Sequence, residues 1–203
     1  ETACVIVQNP DFLGRLYTPA EMQALADQAH AAGAQLVVSV DPISLGLLKR
    51  PGDLVEAAAH LRRAGRKVSV MIAGSGPLYD EVAATAAVLA VPLHLLGFQN
   101  QSEMPSAYAA SDILVLPSTG RETWGLVCNE ALASGRPIVV SDQVGCAPDL
   151  AGDNFVGRIF QMGDSQALAA SIASGMDCSP SRVAIRAVSR RHSVPAACAG
   201  VLE

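Results

Sequence analysis

The stretch at residues 117–140, PSTGRETWGLVCNEALASGRPIVV, decides how this chain folds. An apolar run at 112–117 leads into it, and the length and branched residues of this run are typical of a buried strand. A polar loop at 118–122 leads to a helical pattern at 124–134, and a second buried strand is predicted at 138–141. Strand, loop, helix and strand form a βαβ unit, and doubly wound sheets bind ligands at the first of these loops.

Two glutamates give this loop a candidate chemistry. Glu122 lies in the loop and Glu130 lies on the predicted helix, with seven residues between them. Glu130 is too deep in the helix for an N-terminal cap, and it interrupts a predicted apolar face of Leu126, Val127, Ala131 and Leu132. Paired carboxylates suit the vicinal hydroxyls of a sugar or a ribose, and free N–H groups at Gly125 and Leu126 suit a phosphate. The alternative is a solvated helix with two surface acids, and the spacing by itself does not decide between them.

The composition indicates a globular α/β domain. With 203 residues, of which 50% are hydrophobic and 16% charged, the chain can bury a sizeable core. The net charge of -5 argues against nonspecific binding to nucleic acid or anionic membranes, and no apolar run is long enough to cross a bilayer. The cysteines are scattered without a C-x-x-C pair, which predicts a cytoplasmic location, no disulfide framework and no metal site. They are Cys4, Cys128, Cys146, Cys178 and Cys198.

Strand and helix patterns alternate along the chain, which predicts a parallel, doubly wound sheet with right-handed crossovers. The predicted strands are 3–7, 36–40, 67–72, 92–96, 112–117, 138–141 and 156–160. The predicted helices are 19–32, 53–64, 78–89, 103–110 after a Ser102 cap, 124–134, 165–174 and 181–202 with a break at Pro195. A G-S-G sequence at 74–76 is interpreted as a turn that needs positive φ rather than as a phosphate loop.

The residues from Glu122 to Glu130, ETWGLVCNE, followed by ALASGRPIVV, resemble the E-x7-E signature of retaining GT-B glycosyltransferases of family 4. The likeness extends over about 49–203 and includes further motifs in the same order. These are IAGSGPL at 72–78, LGF at 96–98, AYAASD at 107–112 and SDQVG at 141–145. In that family this half of the GT-B fold is a Rossmann-like domain that binds the nucleotide-diphosphate sugar. The resemblance therefore implies a hexosyltransferase donor site that needs no cofactor.

The resemblance also implies a role for each candidate site residue. Glu122 would be the catalytic residue at the donor sugar, and Glu130 would accept hydrogen bonds from the ribose hydroxyls. The other substrate-binding residues would be Lys49, Trp124, Gly125 and Leu126 at the phosphates, and Phe98 and Gln99 against the base. The family has an arginine or lysine five residues before the position of Lys49, where this chain has Ser44. A neutral hydroxyl in place of a charged donor predicts a weaker hold on the diphosphate.

The first fifty residues resemble a different family. VQNPDFLG at 7–14 and VDPISLGLLKRPG at 40–52 are similar to the pyridoxal-phosphate-dependent glycine decarboxylase, the P-protein of glycine cleavage. In that family the aspartate that matches Asp41 lies near the ring nitrogen of the cofactor. The likeness stops at Gly52, before the segment that carries the Schiff-base lysine. We therefore expect no working pyridoxal phosphate site, and Asp41 is interpreted as a polar residue at a strand end.

The two likenesses meet at 49–53, which predicts a fusion of two segments within a single α/β domain, 1–203. Residues 1–52 are expected to complete the sheet of the transferase-like segment, 53–203, with the strand at 36–40 replacing its first strand. Such transferases bind the acceptor on a second domain, which is missing here, so we expect nucleotide-sugar binding without transfer by the isolated chain. The alternatives are an inactive chimeric scaffold and a fragment of a pyridoxal phosphate enzyme. The preferred base and sugar stay open.

Overall fold

A computed structural model of the chain contains two compact units, 1–47 and 48–203. The residues that it describes are 4–9, 24, 27, 31, 35–40, 51–74, 76–119, 122–152, 156–178, 180–193 and 196. Three residues that the sequence singles out, Asp41, Ser44 and Lys49, lie outside the described residues. Among the residues that are described, no helix has both the length and the apolar character needed to cross a membrane.

The first unit contains two parallel strands with helical residues between them. Strand β1 (Cys4–Asn9) pairs with strand β2 (Gln35–Val40), which confirms the two strands predicted there. Ala24, Asp27 and Ala31 are helical and exposed, and their spacing of three and four places them on one face of a helix. Two parallel strands that follow one another need a crossover connection, and the helical residues belong to it, as the alternating pattern predicts.

The second unit alternates strands and helices, as predicted. Its strands are β3 (Val70–Ala73), β4 (Leu93–Gly97), β5 (Leu114–Leu116), β6 (Ile138–Ser141) and β7 (Gly157–Phe160). Its α-helices are α1 (Pro51–Arg63), α2 (Tyr79–Val88), α3 (Met104–Ala110), α4 (Leu126–Ala133), α5 (Ser165–Asp177) and α6 (Arg182–Arg191). A turn of π-helix at Ala147–Gly152, which the sequence pattern does not predict, connects β6 to β7.

The strands of the second unit form two parallel sheets, β3–β4 and β5–β6–β7. Strand β6 lies in the middle of the larger sheet and all four of its residues are buried, which explains its continuous apolar run. Among the described residues β3 pairs in parallel only with β4, and β5 pairs only with β6, so each strand has an unpaired edge. Whether residues 1–52 complete the sheet of the second unit stays a prediction. It can be tested by comparing the unfolding of residues 48–203 with the unfolding of the whole chain.

Helix α1 holds the two sheets of the second unit together. One side of the helix, with Val55, Ala58 and Ala59, packs against apolar residues of β3 and α2. Another side, with Ala57 and Leu61, packs against apolar residues of β6, β7 and α5. Because burial of apolar surface stabilises both contacts, one helix connects two sheets that share no strand pairing among the described residues.

Helix α4 buries most of the predicted apolar face, with Val127 packed against the core and Leu126 as the exception. Cys128, Ala131 and Leu132 are buried in the core between the larger sheet and α6, whereas Leu126 is 53% exposed. The difference arises at the start of the helix. Gly125 adopts a left-handed conformation with φ of +98°, so the helix begins at Leu126 and not at Trp124 as predicted. Leu126 therefore lies at the open N-terminal end of the helix.

The structure also corrects one other predicted helix boundary and leaves another partly untested. Helix α3 begins at Met104, and Glu103 takes the N-cap position in place of Ser102, without a side-chain cap hydrogen bond. The Asn100 side chain accepts hydrogen bonds from the N–H groups of Ser102 and Glu103 and fixes the turn before the helix. The Glu103 carboxylate accepts a hydrogen bond from the Asn100 N–H in return, which closes this turn. Helix α6 covers Arg182–Arg191 and Ala196 is helical again, which agrees with a predicted helical stretch broken near Pro195. The predicted continuation to 202 lies outside the described residues.

Candidate functional site

The loops that follow β5 and β6 meet at the carboxyl edge of the larger sheet. At the end of β6, the Ser141 hydroxyl donates a 2.6 Å hydrogen bond to the carbonyl of Ser118, which follows β5. Further along, the Gly145 N–H donates a 3.1 Å hydrogen bond to the Glu122 carbonyl. The predicted ligand loop therefore lies at the edge where doubly wound sheets bind ligands, and contacts to the neighbouring loop hold its backbone.

Two glycines make this close approach possible. A Cβ atom at Gly145 would lie 1.9 Å from the Thr123 carbonyl oxygen, a distance that no side chain can tolerate. A Cβ atom at Gly125 would lie 3.1 Å from a Leu116 methyl group and 3.2 Å from a Val144 methyl group, and the positive φ of Gly125 disfavours any other residue. Both glycines are therefore required by the path of the loop.

Glu122 is half-buried in this loop, and its environment changes the ionisation of its side chain. Burial raises the pKa of the Glu122 carboxyl group above its usual range, because a charged group loses hydration there. The backbone N–H groups of Gly125 and Trp124 interact with the carboxylate and oppose part of this rise in the pKa. The Gly125 N–H is therefore not free, contrary to the expectation from the sequence. The Leu126 N–H has no hydrogen-bond partner among the described residues.

Trp124 is attached to the core rather than to the open side of the loop. Its indole Nε1–H donates a 2.8 Å hydrogen bond to the Asn129 side-chain oxygen. The amide nitrogen of Asn129 donates in turn to the carbonyl of His192, which follows helix α6. The Trp124 side chain thus links the loop to helices α4 and α6, and only its backbone contributes to the candidate site.

Glu130 lies on the exposed surface of helix α4, four residues after Leu126 and on the same side of the helix. Its Oε2 atom accepts a 2.7 Å hydrogen bond from the hydroxyl of Tyr108, a residue of helix α3 that is only 4% exposed. Burial, the hydrogen bond to Glu130 and the charge of Glu130 together raise the pKa of the Tyr108 hydroxyl above its usual range. Tyr108 therefore remains a protonated donor at neutral pH.

The segment predicted to contact a base lies at the end of β4. Gly97 has a φ of +70°, and its carbonyl accepts a 2.7 Å hydrogen bond from the Gly74 N–H of the G-S-G turn. The Gln99 side chain donates to the carbonyls of Leu96 and Phe98, which fixes the turn. Phe98 itself is 58% exposed, so its ring is available to stack against a ligand.

Two free cysteines lie beneath the candidate loop. Cys128 and Cys146 are both buried, and a hydrogen bond between their thiols together with burial raises the pKa of Cys128. Cys128 therefore stays a neutral thiol that packs as a small apolar residue. In the part of the chain that is described, no group of three or more histidine, cysteine or acidic residues could hold a metal ion. The absence of a metal site stays a prediction for the whole chain.

Comparison with known proteins identifies the family. The family model for glycosyl transferases group 1 matches residues 21–192, which is most of the chain. The chain belongs to this family. The match begins inside the segment 1–52, so this glycosyltransferase family and the glycine-decarboxylase likeness overlap there.

Solved glycosyltransferase structures share the fold at low sequence identity. HepE of Anabaena, in complex with UDP and glucose, is 22% identical with a TM-score of 0.64, over 92% of this chain and 53% of that one. The catalytic domain of cholesterol-α-glucosyltransferase from Helicobacter pylori is 18% identical with a TM-score of 0.61, over 71% of this chain and 91% of that one. Identities this low show the fold alone, which is the predicted Rossmann-like half of a GT-B glycosyltransferase.

A short segment is similar to a second family. The probable glycine dehydrogenase (decarboxylating) subunit 1 of Rhodospirillum rubrum is 55% identical over 65 residues, which are 30% of this chain. The chain spans only 14% of the length of that protein. Both resemblances inferred from the sequence, to a glycosyltransferase domain and to a fragment of glycine decarboxylase, are thus confirmed.

The structure brings some of the predicted site residues together and leaves others unplaced. Glu122, Trp124, Gly125 and Leu126 form one loop and helix start, with Glu130 further along the same helix. Phe98 and Gln99 lie together after β4, and Lys49 lies outside the described residues.

Sequence reasoning assigned no role to Tyr108 or Gly145. Both belong to motifs that carry the family resemblance, AYAASD and SDQVG, and this membership was the available signal.

Proposed function

We propose that the carboxyl edge of the larger sheet is the donor site of a retaining glycosyltransferase and binds a nucleoside-diphosphate sugar. The observation that carries the proposal is the pair of glutamates. One carboxylate, Glu122, is half-buried in a loop with a fixed backbone, and the other, Glu130, is exposed on the adjoining helix. The membership in glycosyl transferases group 1 supports the proposal, as do solved relatives that contain UDP and glucose.

Glu130 would bind the ribose of the nucleotide. An ionised carboxylate only accepts hydrogen bonds, and ribose hydroxyls are donors. The exposure of Glu130 leaves room for such a ligand, and its Oε1 atom has no hydrogen-bond partner among the described residues. Leu126, also exposed on that side of the helix, would border the ligand.

Glu122 would contact the donor sugar near the reacting carbon. A half-buried carboxylate with a raised pKa can accept hydrogen bonds from sugar hydroxyls and stabilise positive charge that develops on the sugar in the transition state. The Leu126 N–H, at the N-terminal end of helix α4, would face the diphosphate, because unpaired N–H groups and the helix dipole both favour an anion there.

The remaining assignments follow the family resemblance. Phe98 would stack on the base, with Gln99 holding the turn that presents the ring. Lys49 would contact a phosphate, and the neutral Ser44 would weaken the hold on that phosphate relative to a charged residue. We propose the cytoplasm as the location, in keeping with the scattered cysteines, of which Cys128, Cys146 and Cys178 are free.

Calorimetric titration with UDP-glucose and GDP-mannose tests the proposal. We expect saturable binding of at least one of them, and loss of that binding in the double variant Glu122→Gln with Glu130→Gln. The matched control replaces two exposed glutamates of other helices, Glu56→Gln with Glu81→Gln, and should keep the affinity. A folded chain that binds no nucleotide sugar would instead favour the inactive scaffold, and a visible absorbance that survives dialysis after addition of pyridoxal phosphate would favour the decarboxylase fragment.

An assay of released nucleoside diphosphate and glycosylated product tests the second half of the proposal. The 203-residue polypeptide by itself should transfer no sugar to an acceptor. Holding two reactants together contributes about 7–11 kcal/mol to such reactions, and a donor site provides only one of the two surfaces. Slow hydrolysis of the donor is the largest activity that we expect. Turnover to product at about 1 per second or faster, an ordinary enzyme rate, would contradict this expectation.

A further inference from the structure

The hydrogen bond between Tyr108 and Glu130 connects a buried residue to an exposed one. The Tyr108 ring belongs to the same apolar core as Cys128, Ala131 and Leu132 of helix α4, and it is only 4% exposed. Packing therefore restricts the ring to one rotamer. Its hydroxyl reaches the surface of helix α4 at one point, where it donates to Glu130 Oε2 at 2.7 Å.

Glu130 would otherwise be free to change its rotamer. An exposed glutamate on a helix populates several side-chain conformations, and fixing one of them on ligand binding costs conformational entropy. The hydrogen bond from Tyr108 removes much of that freedom before any ligand binds. It also occupies one carboxylate oxygen and leaves Oε1 without a hydrogen-bond partner among the described residues.

The direction of this hydrogen bond is fixed by the chemistry of the two groups. Burial and the neighbouring Glu130 carboxylate raise the pKa of Tyr108, so its hydroxyl stays protonated at neutral pH and donates a hydrogen bond to that carboxylate. An ionised carboxylate has no proton to donate, so the roles cannot be exchanged. Glu130 therefore presents a pure acceptor to a ligand.

We propose that Tyr108 is a positioning residue that holds the Glu130 carboxylate ready to accept hydrogen bonds from the ribose hydroxyls, so that the site selects ribonucleotides over nucleotides lacking those hydroxyls. The proposal rests on the function proposed above. It adds Tyr108 to the residues that shape the site. It also predicts that the site discriminates against nucleotides without the ribose hydroxyls. Tyr108 does not touch the ligand and acts only through Glu130.

The variant Tyr108→Phe tests the proposal, because it removes the hydroxyl and keeps the buried ring. We expect its affinity for UDP to fall about 3- to 10-fold, the effect of one hydrogen bond. Its affinity for a UDP analogue without the 2′ and 3′ hydroxyls should stay unchanged. The matched control is Tyr79→Phe, the same chemical change at the start of helix α2, which should leave both affinities unchanged.

A double-variant comparison separates positioning from packing. If Tyr108 acts through Glu130, adding Tyr108→Phe to Glu130→Ala should cause no further loss of UDP affinity. Equal losses for UDP and the analogue, or an additive loss in the double variant, would show a packing role and overturn the proposal. An unchanged affinity of Tyr108→Phe for UDP would overturn it as well.

A crystal structure of Tyr108→Phe distinguishes failure of this inference from failure of the proposed function. A wild-type chain that binds no nucleotide overturns the proposed function and the ribose selection that rests on it. The positioning role is then decided by the crystal structure. A Glu130 carboxylate that keeps its place without the Tyr108 hydroxyl overturns that role, and a carboxylate that adopts other rotamers supports it.

Discussion

The loop at 122–125 and the exposed side of helix α4 each present one glutamate, and the two regions hold their glutamates by different means. The loop is fixed through its backbone, by the Gly145 N–H and by two glycines that allow close approach, and the Glu122 carboxylate is half-buried. On helix α4 the backbone is an ordinary helix, and a single hydrogen bond from Tyr108 restrains an exposed Glu130.

This difference predicts how each region responds to substitution. A change in the loop should alter the fold and the site together, because the backbone path and the position of Glu122 depend on the same contacts. A change at Glu130 should alter ligand binding and leave stability almost unaffected, because an exposed side chain contributes little to the core. Three variants test the contrast between these regions.

Gly145→Ala should have the largest effect. The added methyl group would lie 1.9 Å from the Thr123 carbonyl oxygen, so the loop at 122–125 must move. We expect a loss of about 2–3 kcal/mol in the free energy of unfolding, typical of overpacking, and weaker nucleotide binding. Urea denaturation measures the stability. The control is Gly152→Ala, where a Cβ atom has no neighbour within 4 Å. Similar stability of the two variants would mean that the loop is not fixed as described.

Glu130→Gln should have an intermediate effect, and it should fall on binding alone. Loss of a charged hydrogen bond to ribose should weaken the binding of a nucleotide sugar by about 1.5–3 kcal/mol, while the melting temperature stays nearly unchanged. Calorimetry and thermal unfolding provide the two measurements, with Glu81→Gln, another exposed glutamate on a helix, as the control. An unchanged dissociation constant would show that Glu130 does not bind the ribose. A marked drop in melting temperature would show that Glu130 contributes to the stability of the core.

Besides weakening donor binding, Glu122→Gln should have the smallest of the stability effects that the loop predicts, a change in how stability depends on pH. Because burial raises the pKa of Glu122 in the folded chain, the folded state favours the protonated carboxyl group. Its stabilising contribution is present below the ordinary glutamate pKa of 4.5 and is lost as the pH rises through the higher folded pKa. The wild type should therefore lose stability relative to Glu122→Gln as the pH rises above 4.5. Urea denaturation at a series of pH values measures this loss, with Glu81→Gln as the control. A difference in unfolding free energy between the wild type and Glu122→Gln that stays constant with pH would contradict the raised pKa.

The order of strands and helices in the second unit could be read from the sequence because the signals are local. The apolar run of β6 and the alternation of strand and helix patterns each lie within a few neighbouring residues. The predicted boundaries failed where a single backbone conformation decides them. The left-handed Gly125 delays the start of helix α4 to Leu126, and no periodicity of apolar residues reveals that.

By itself the sequence determined the family, the βαβ unit and the pair of glutamates, because these follow from the identity and spacing of residues along the chain. Only the tertiary structure decided which distant residues restrain the Glu130 side chain and the loop that carries Glu122. Tyr108 reaches Glu130 across 22 residues, and Gly145 approaches Thr123 from the loop after another strand. Contacts of this kind depend on how α3 and α4 pack on one core and on how two strand ends align. No local pattern encodes them, because the contacting residues are distant in the chain and become neighbours only when the sheet and helices assemble.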